Sequence, residues 1–193
     1  MKGIRRELAR KAIHVASIAI PVFVWIFGKT PALALLLPAL LIALAVEWAR
    51  FRVRRVRYLF LRYTRVLLRT HERRRPAGAT YMVIGYTLVL LLFPRPIAVL
   101  AMLYNGLGDA AAALVGRRFG RHRTAWGKSW EGFGAGLVTN LALGFAIPGV
   151  PVAAALLGGV VAAMLEFAPL PLDDNLKVTV GGGLAAALGT LWS

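Results

Sequence analysis

The run Ile97 to Val115, IAVLAMLYNGLGDAAAALV, decides how the rest of the chain is read. It is apolar over roughly the 20 residues that a membrane helix needs, yet it carries Asn105 and Asp109. An ionised carboxylate among alanines and glycines costs several kcal/mol or more (~2.5 at the low end) unless a cation or hydrogen bonds compensate. Asp109 therefore predicts a polar site reaching into a membrane helix, roughly 10 Å from its inner end at the helical rise. Asn105 and Asp109 fall on one helical face, with Gly106 and Gly108 thinning the backbone beside them. A purely structural role, gluing helices through interhelical hydrogen bonds, is the alternative.

Directly after this run comes the basic, glycine-punctuated loop Arg117 to Lys128, leading into Lys128-Ser129-Trp130-Glu131-Gly132. Gly127-Lys128-Ser129 imitates the end of a phosphate-binding P-loop. The glycine required upstream is His122, however, Gly120 comes two residues too early, and no strand precedes the loop. The P-loop fold is rejected, but the local chemistry is kept. Lys128 reads as a phosphate-facing cation, with Arg117, Arg118, Arg121 and Arg123 nearby and backbone amides at the start of the next helix. Ser129 reads as a helix cap and Glu131 as a favourable first-turn acid. Further on, Asp173-Asp174-Asn175 sits on a connection stiffened by Pro169 and Pro171. It suits either a helix cap or, through its oxygen atoms, Mg2+.

Working outward, the apolar runs Ala12–Gly28, Pro31–Ala49, Thr80–Phe93 (starting nearer Ala77), Ile97–Val115, Trp130–Ile147, Val152–Phe167 and Leu176–Trp192 give an all-α polytopic membrane bundle of about seven transmembrane helices. The first run is read as a retained helix rather than a signal peptide, since no small-residue cleavage site follows it. Glu7, Lys11 and His14 share one face of its lead. Phe51 to Arg75, with Arg50, Arg54, Arg57, Arg65 and Arg69 among Val, Leu, Tyr and Phe, reads as an amphipathic helix on the inner leaflet. It ends at His71-Glu72 and is stopped by Pro76.

The formal charge of +16 would suit a nucleic-acid binder in a soluble protein, but 59% of residues are hydrophobic and the cations lie between spanning runs. Anionic lipid on the inner leaflet is the partner that this pattern selects, not nucleic acid. With the N-terminus inside, all 24 Lys and Arg except Lys29 and Arg95 face inward, as the positive-inside rule asks. The eight acids, Glu166 among them, partition the same way, although that rule does not govern acids. The inner face therefore gathers carboxylates as well as cations, which lipid attraction alone does not explain. The absence of cysteine excludes disulfides, zinc thiolates and cysteine nucleophiles.

Gly108-Asp109 with Ala112 or Ala113, Gly116, Gly120, Lys128-Ser129 and Glu131-Gly132 resembles the central signature of the CTP-dependent polyprenol and lipid kinases, a family that includes dolichol, phytol and CTP-dependent diacylglycerol kinases. His71-Glu72 with Gly78-Ala79-Thr80-Tyr81, Asp174-Asn175-Leu176, and Arg10-Lys11 with His14 are similar to its flanking patterns. The resemblance covers nearly the whole chain. It implies transfer of the CTP γ-phosphoryl group to a membrane lipid alcohol, with Mg2+ organised by Asp109 and Asp174 and supported by Asp173 and Asn175. Lys128 and the loop arginines would neutralise phosphoryl charge, with Asn105, Gly108 and Ser129 at the nucleotide and His71, Glu72 or Glu131 as base. The lipid tail is expected in a groove against Gly181-Gly182-Gly183. The expected location is the cell membrane of a prokaryote, with the N-terminus and site cytoplasmic, and the glycine-rich spans also permit a homo-oligomer. The rival readings are a phosphatidate cytidylyltransferase-like enzyme, which shares several of these elements, and a non-enzymatic transporter or scaffold.

Overall fold

The computed structural model describes residues 16–64, 68 and 71–192, the His71 side chain excepted. Among these the chain is all-helical, its one β-type pairing being a single bridge between Arg123 and Ser129. The helices are α1 (Ala19–Phe27), α2 (Lys29–Arg52), α3 (Arg54–Thr64), α4 (Gly78–Leu92), α5 (Arg95–Leu103), α6 (Asp109–Arg118), α7 (Trp130–Ala146), α8 (Val152–Phe167) and α9 (Asp174–Gly189). The expectations placed on Glu7, Lys11, His14, Arg65 and Arg69 lie outside the described residues.

The breaks between helices follow from local chemistry. Gly28 at φ 89° and ψ 179° separates α1 from α2, a backbone conformation that essentially glycine alone adopts. Pro94 and Pro151 precede α5 and α8, where a missing amide proton costs nothing. Ser129 and Asp173 cap α7 and α9 with their side-chain oxygens. α4 starts at Gly78 with Ala77 as its cap, which agrees with a third run beginning near Ala77.

Among the described residues two helical stretches are long and apolar enough to cross a membrane, Lys29–Arg52 and the continuous Arg95–Arg118 formed by α5, a π-turn and α6. The second is the bundle's axis. Leu100, Met102 and Tyr104 on it are completely buried, and α7, α8 and α9 pack around it. Small residues set the spacing of these outer helices. A Cβ on Gly144 would sit 2.7 Å from Cβ of Ala155, and one on Gly158 would sit 2.6 Å from Cβ of Ala186. Such contacts let backbones approach closely, which is how helices associate where no hydrophobic force separates them from lipid. α2 is the opposite case, with Leu41, Ile42 and Trp48 more than half exposed.

Three sequence expectations change. The amphipathic helix does not run from Phe51 to Arg75, because the chain turns extended at Val53 and α3 covers only Arg54–Thr64, without a buried residue. Arg50 does not belong to its exposed stripe. It is 2% exposed, donating Nε to Glu47 at 2.5 Å and its other nitrogens to the carbonyls of Glu72 and Arg75. Gly182 and Gly183 line no lipid groove, since a Cβ on Gly182 would lie 2.9 Å from Ala162 and one on Gly183 would lie 2.9 Å from Phe93.

The two ends of the bundle differ in charge. At one end Lys29 donates to the carbonyl of Phe93 at 2.8 Å and the Arg95 guanidinium lies over the Trp25 ring at 5.2 Å. At the other the turn around Glu72, the loop after Arg118 and the connection before Asp174 meet.

Candidate functional site

The π-turn Tyr104–Gly108 delivers Asp109 to this second end, with the Asp109 amide bonded back to Tyr104. Such turns accommodate an extra residue per turn and concentrate at functional sites. Their effect here is to send Asn105 and Asp109 to different partners. Asn105 is 1% exposed and donates to Oδ1 of Asn175 at 3.3 Å. Asp109 is half-buried and lines a cavity of about 350 Å³ with Arg117, Arg123, Lys128, Glu166 and Asp174.

The loop over this cavity is a closed clasp rather than a flexible basic tail. Thr124 donates its amide to the Lys128 carbonyl at 2.8 Å, and Gly127, at φ 87°, donates to Thr124 at 3.0 Å. Arg123 reaches back to the carbonyl of Gly116 at 3.0 Å. Glu131 holds the outside of the clasp, accepting from the amides of Arg121 and His122, both at 3.1 Å, and pairing with Nδ1 of His122 at 2.8 Å. The helices beneath meet backbone to backbone. A Cβ on Gly132 would lie 2.7 Å from the Ala112 carbonyl and one on Gly116 would lie 2.8 Å from Oγ of Ser129. Only glycine allows α6 and α7 this close.

Lys128 crosses the cavity. Its Nζ donates to the Glu166 carbonyl, to Oε1 of Glu166 at 2.8 Å and to Asp174 at 3.5 Å. Asp174 in turn pairs with Lys177 at 2.8 Å, and Lys177 also donates to the Ala168 carbonyl at 2.9 Å. The cavity thus holds Arg117, Arg123 and Lys128 against Asp109, Glu166 and Asp174, three cations facing three carboxylates.

Behind it lies a buried polar scaffold. Asn175 donates to the Gly78 carbonyl at 3.1 Å and to Oδ1 of Asp173 at 2.8 Å, while Gly78 donates its amide to Glu72 at 2.8 Å. Glu47 accepts from the Ala77 amide at 2.8 Å and from the Thr80 hydroxyl at 3.1 Å. A satisfied network of this kind fixes one arrangement of α2, α4 and α9.

The predicted residues therefore separate into groups. Asp109, Lys128, Ser129, Asp174, Arg117 and Arg123 share the cavity wall. Ser129 caps α7 there, accepting from the Gly132 amide at 3.1 Å. Gly108 lies one residue from Asp109, against Asn140. Arg118 turns over Phe119 at 5.6 Å, and Arg118 and Arg121 do not line the cavity. Glu131 holds the clasp, its carboxylate accepting from the Arg121 amide and pairing with His122, and it does not line the cavity. Glu72, Asp173 and Asn175 belong to the scaffold, and the His71 side chain lies outside the described residues. Among the described residues no three acidic or histidine side chains converge as a preformed metal centre, so the four-residue Mg2+ set does not come together as such. Glu166, which sequence reading placed only among the inner-face acids, joins the cavity wall and pairs with Lys128.

No family model and no solved structure matches the chain. It is similar to an uncharacterized protein of Rickettsia prowazekii, at 30% identity over 118 residues, or 59% of this chain. The matched region spans 57% of that relative's length.

Proposed function

We propose that the protein is an integral membrane kinase that transfers the γ-phosphoryl group of CTP to a lipid alcohol at the cytoplasmic interface. The observation that carries the reading is the single cavity in which Asp109, Lys128 and Asp174, from three separate stretches of the resembling signature, face one another. CTP as donor, and an isoprenoid alcohol or diacylglycerol as acceptor, rest on that resemblance.

In the reaction the acceptor oxygen bonds to the γ-phosphorus, the bond to the β-phosphate oxygen breaks, and the hydroxyl proton is released. A loose transition state asks the protein mainly for positioning and charge. Lys128 releases Glu166 and follows the phosphoryl oxygens, Arg117 and Arg123 flank them, and the clasp excludes water. Mg2+ is bound in phosphoryl-transfer sites by one or two carboxylates together with the substrate phosphates, so a preformed cage is not required. Asp109 and Asp174 fit that donor set, and the ion when bound neutralises charge on the phosphate oxygens.

The membrane reading extends beyond the two long helices. α4, α7, α8 and α9 pack against them and expose Leu91, Val138, Phe145, Leu156, Met164 and Leu188 to the surroundings. With α1 they make up the seven-span topology, placing Lys29 and Arg95 outside. Arg54, Arg55, Arg57 and Arg62 on α3 then meet anionic headgroups of the inner leaflet.

The test is an incubation of detergent-purified protein with Mg2+, γ-labelled CTP and a panel of isoprenoid alcohols and diacylglycerol. Labelled lipid phosphate is expected. Lack of label in every acceptor sinks the proposal, and incorporation of cytidine with pyrophosphate release replaces it by the cytidylyltransferase reading. Asp109→Asn is expected to abolish transfer while the protein elutes as the wild type does in size-exclusion chromatography.

A further inference from the structure

A second cavity, of about 610 Å³, adjoins the first and shares Lys128 and Asp174 with it. Its charge balance is different. Arg74, Arg75, Lys128 and Lys177 face Asp173 and Asp174, an excess of positive charge. In this arrangement Asp174 is ion-paired with Lys177 and Lys128 with Glu166, while Asp173 accepts from the neutral Asn175 amides. The guanidinium groups of Arg74 and Arg75, by contrast, make no ion pair among the described residues. The rest of the wall is apolar, with Leu170 and Leu172 at 45% and 59% exposure and Trp126 pinned by its Nε1 donation to the Phe167 carbonyl at 2.9 Å. Exposed cations beside exposed leucine and tryptophan side chains fit an anion that carries a hydrocarbon chain.

We infer that this second cavity is a binding site for the headgroup of a lipid phosphate monoester, with the hydrocarbon chain leaving over Leu170 and Leu172. A neutral alcohol has no use for two uncommitted arginines, whereas a phosphate monoester takes one or both in charge-assisted, bidentate hydrogen bonds. Lys128, common to both walls, lies where a phosphoryl group passing from the first cavity into the second stays paired. The inference rests on the kinase reading only for the source of the ligand, which would be the enzyme's own product, and the binding site itself requires no turnover.

The experiment is titration calorimetry on the full chain in phosphatidylcholine nanodiscs without nucleotide, using dodecyl phosphate, dodecanol and inorganic phosphate as probes. Dodecyl phosphate is expected to bind at least tenfold more tightly than either of the other two. The double variant Arg74→Gln/Arg75→Gln, altered at exposed side chains, should lose at least tenfold in that affinity. Leu170→Ser/Leu172→Ser should weaken dodecyl phosphate while leaving inorganic phosphate unchanged. Arg54→Gln/Arg57→Gln on α3 controls for general attraction of an anionic amphiphile to basic surface and should change affinity less than twofold. Equal binding of inorganic phosphate, an unaltered affinity in the Arg74/Arg75 variant, or an equal loss in the α3 control overturns the inference. A protein that binds dodecyl phosphate in this way yet transfers nothing from CTP retains this site and loses the kinase reading. One that transfers but fails the titration does the reverse.

Discussion

Arg50 and Arg54 are one helical turn apart in the chain, and the structure uses them in opposite ways. Arg50 lies at the end of α2, completely enclosed, with Glu47, two backbone carbonyls and the rings of Phe51 and Phe60 as its surroundings. Arg54 opens α3, a helix rich in arginine that buries nothing. The same contrast separates the clasp from α3, for Arg123 and Lys128 are tied to carbonyls and carboxylates of the protein. Cations with acceptors inside the fold build the site and its scaffold. Those without such acceptors are available to anions outside the protein, which in the proposed membrane setting are lipid headgroups.

Removing a cation of each kind breaks or sharpens this division. Arg50→Ala leaves Glu47 charged, buried and without its cation, and should cost about 3–5 kcal/mol. Thermal unfolding in detergent measures it, and an unchanged midpoint would show that the enclosure of Arg50 is incidental. If the proposed phosphoryl transfer holds, Lys128→Met removes the cation assigned to developing phosphoryl charge and should lower transfer by about a hundredfold to a thousandfold with the fold retained. Turnover of labelled CTP checks this. Arg54→Gln/Arg57→Gln should weaken the affinity of the nanodisc-embedded protein for phosphatidylserine by roughly thirtyfold at low salt, at about 1 kcal/mol per charge, leaving turnover in detergent unchanged. Lipid competition with spin-labelled phosphatidylserine at two salt concentrations separates that effect from unfolding, since only the electrostatic term is screened. The smallest change is expected for Glu131→Gln, which keeps the side chain's shape but weakens its hold on the Arg121 and His122 amides. A severalfold loss of turnover, with the midpoint little moved, would set Glu131 apart from Lys128 as a support of the loop.

Local signals explain what the sequence disclosed. Pro94, Gly28, Ser129 and Asp173 mark helix ends by mechanisms that act within a few residues, so boundaries such as Gly78 and Trp130 were readable. Charge partition put the turn at Glu72, the clasp and the Asp173 connection on one side, and they do share one end of the bundle. Long-range pairings carry no such mark. Glu166 ends an apolar helix and meets Lys128 from 38 residues away, with nothing in either neighbourhood to announce the other. The halt of α2 at Val53 is equally silent, since neither glycine nor proline stands there. Arg50 looked like part of an exposed stripe because periodicity records the spacing of side chains and not the acceptors they find. Asp173 and Asn175 were suited by composition to a metal or to a cap, and only their geometry distinguishes the two.

The π-turn at Tyr104–Gly108 sets the phase of the central helix. Everything before it is keyed to the buried core through Leu100, Met102 and Tyr104, and everything after it to the cavity through Asp109 and Arg117. The wider turn absorbs an extra residue, and a change in number that it did not absorb would rotate α6 by about 100° against α5. Such a rotation would carry Asp109 off the cavity wall and break the close glycine contacts between α6 and α7. The five residues from Tyr104 to Gly108 thus act as a gauge of length, able to tolerate exchange of side chains more readily than any change in their number.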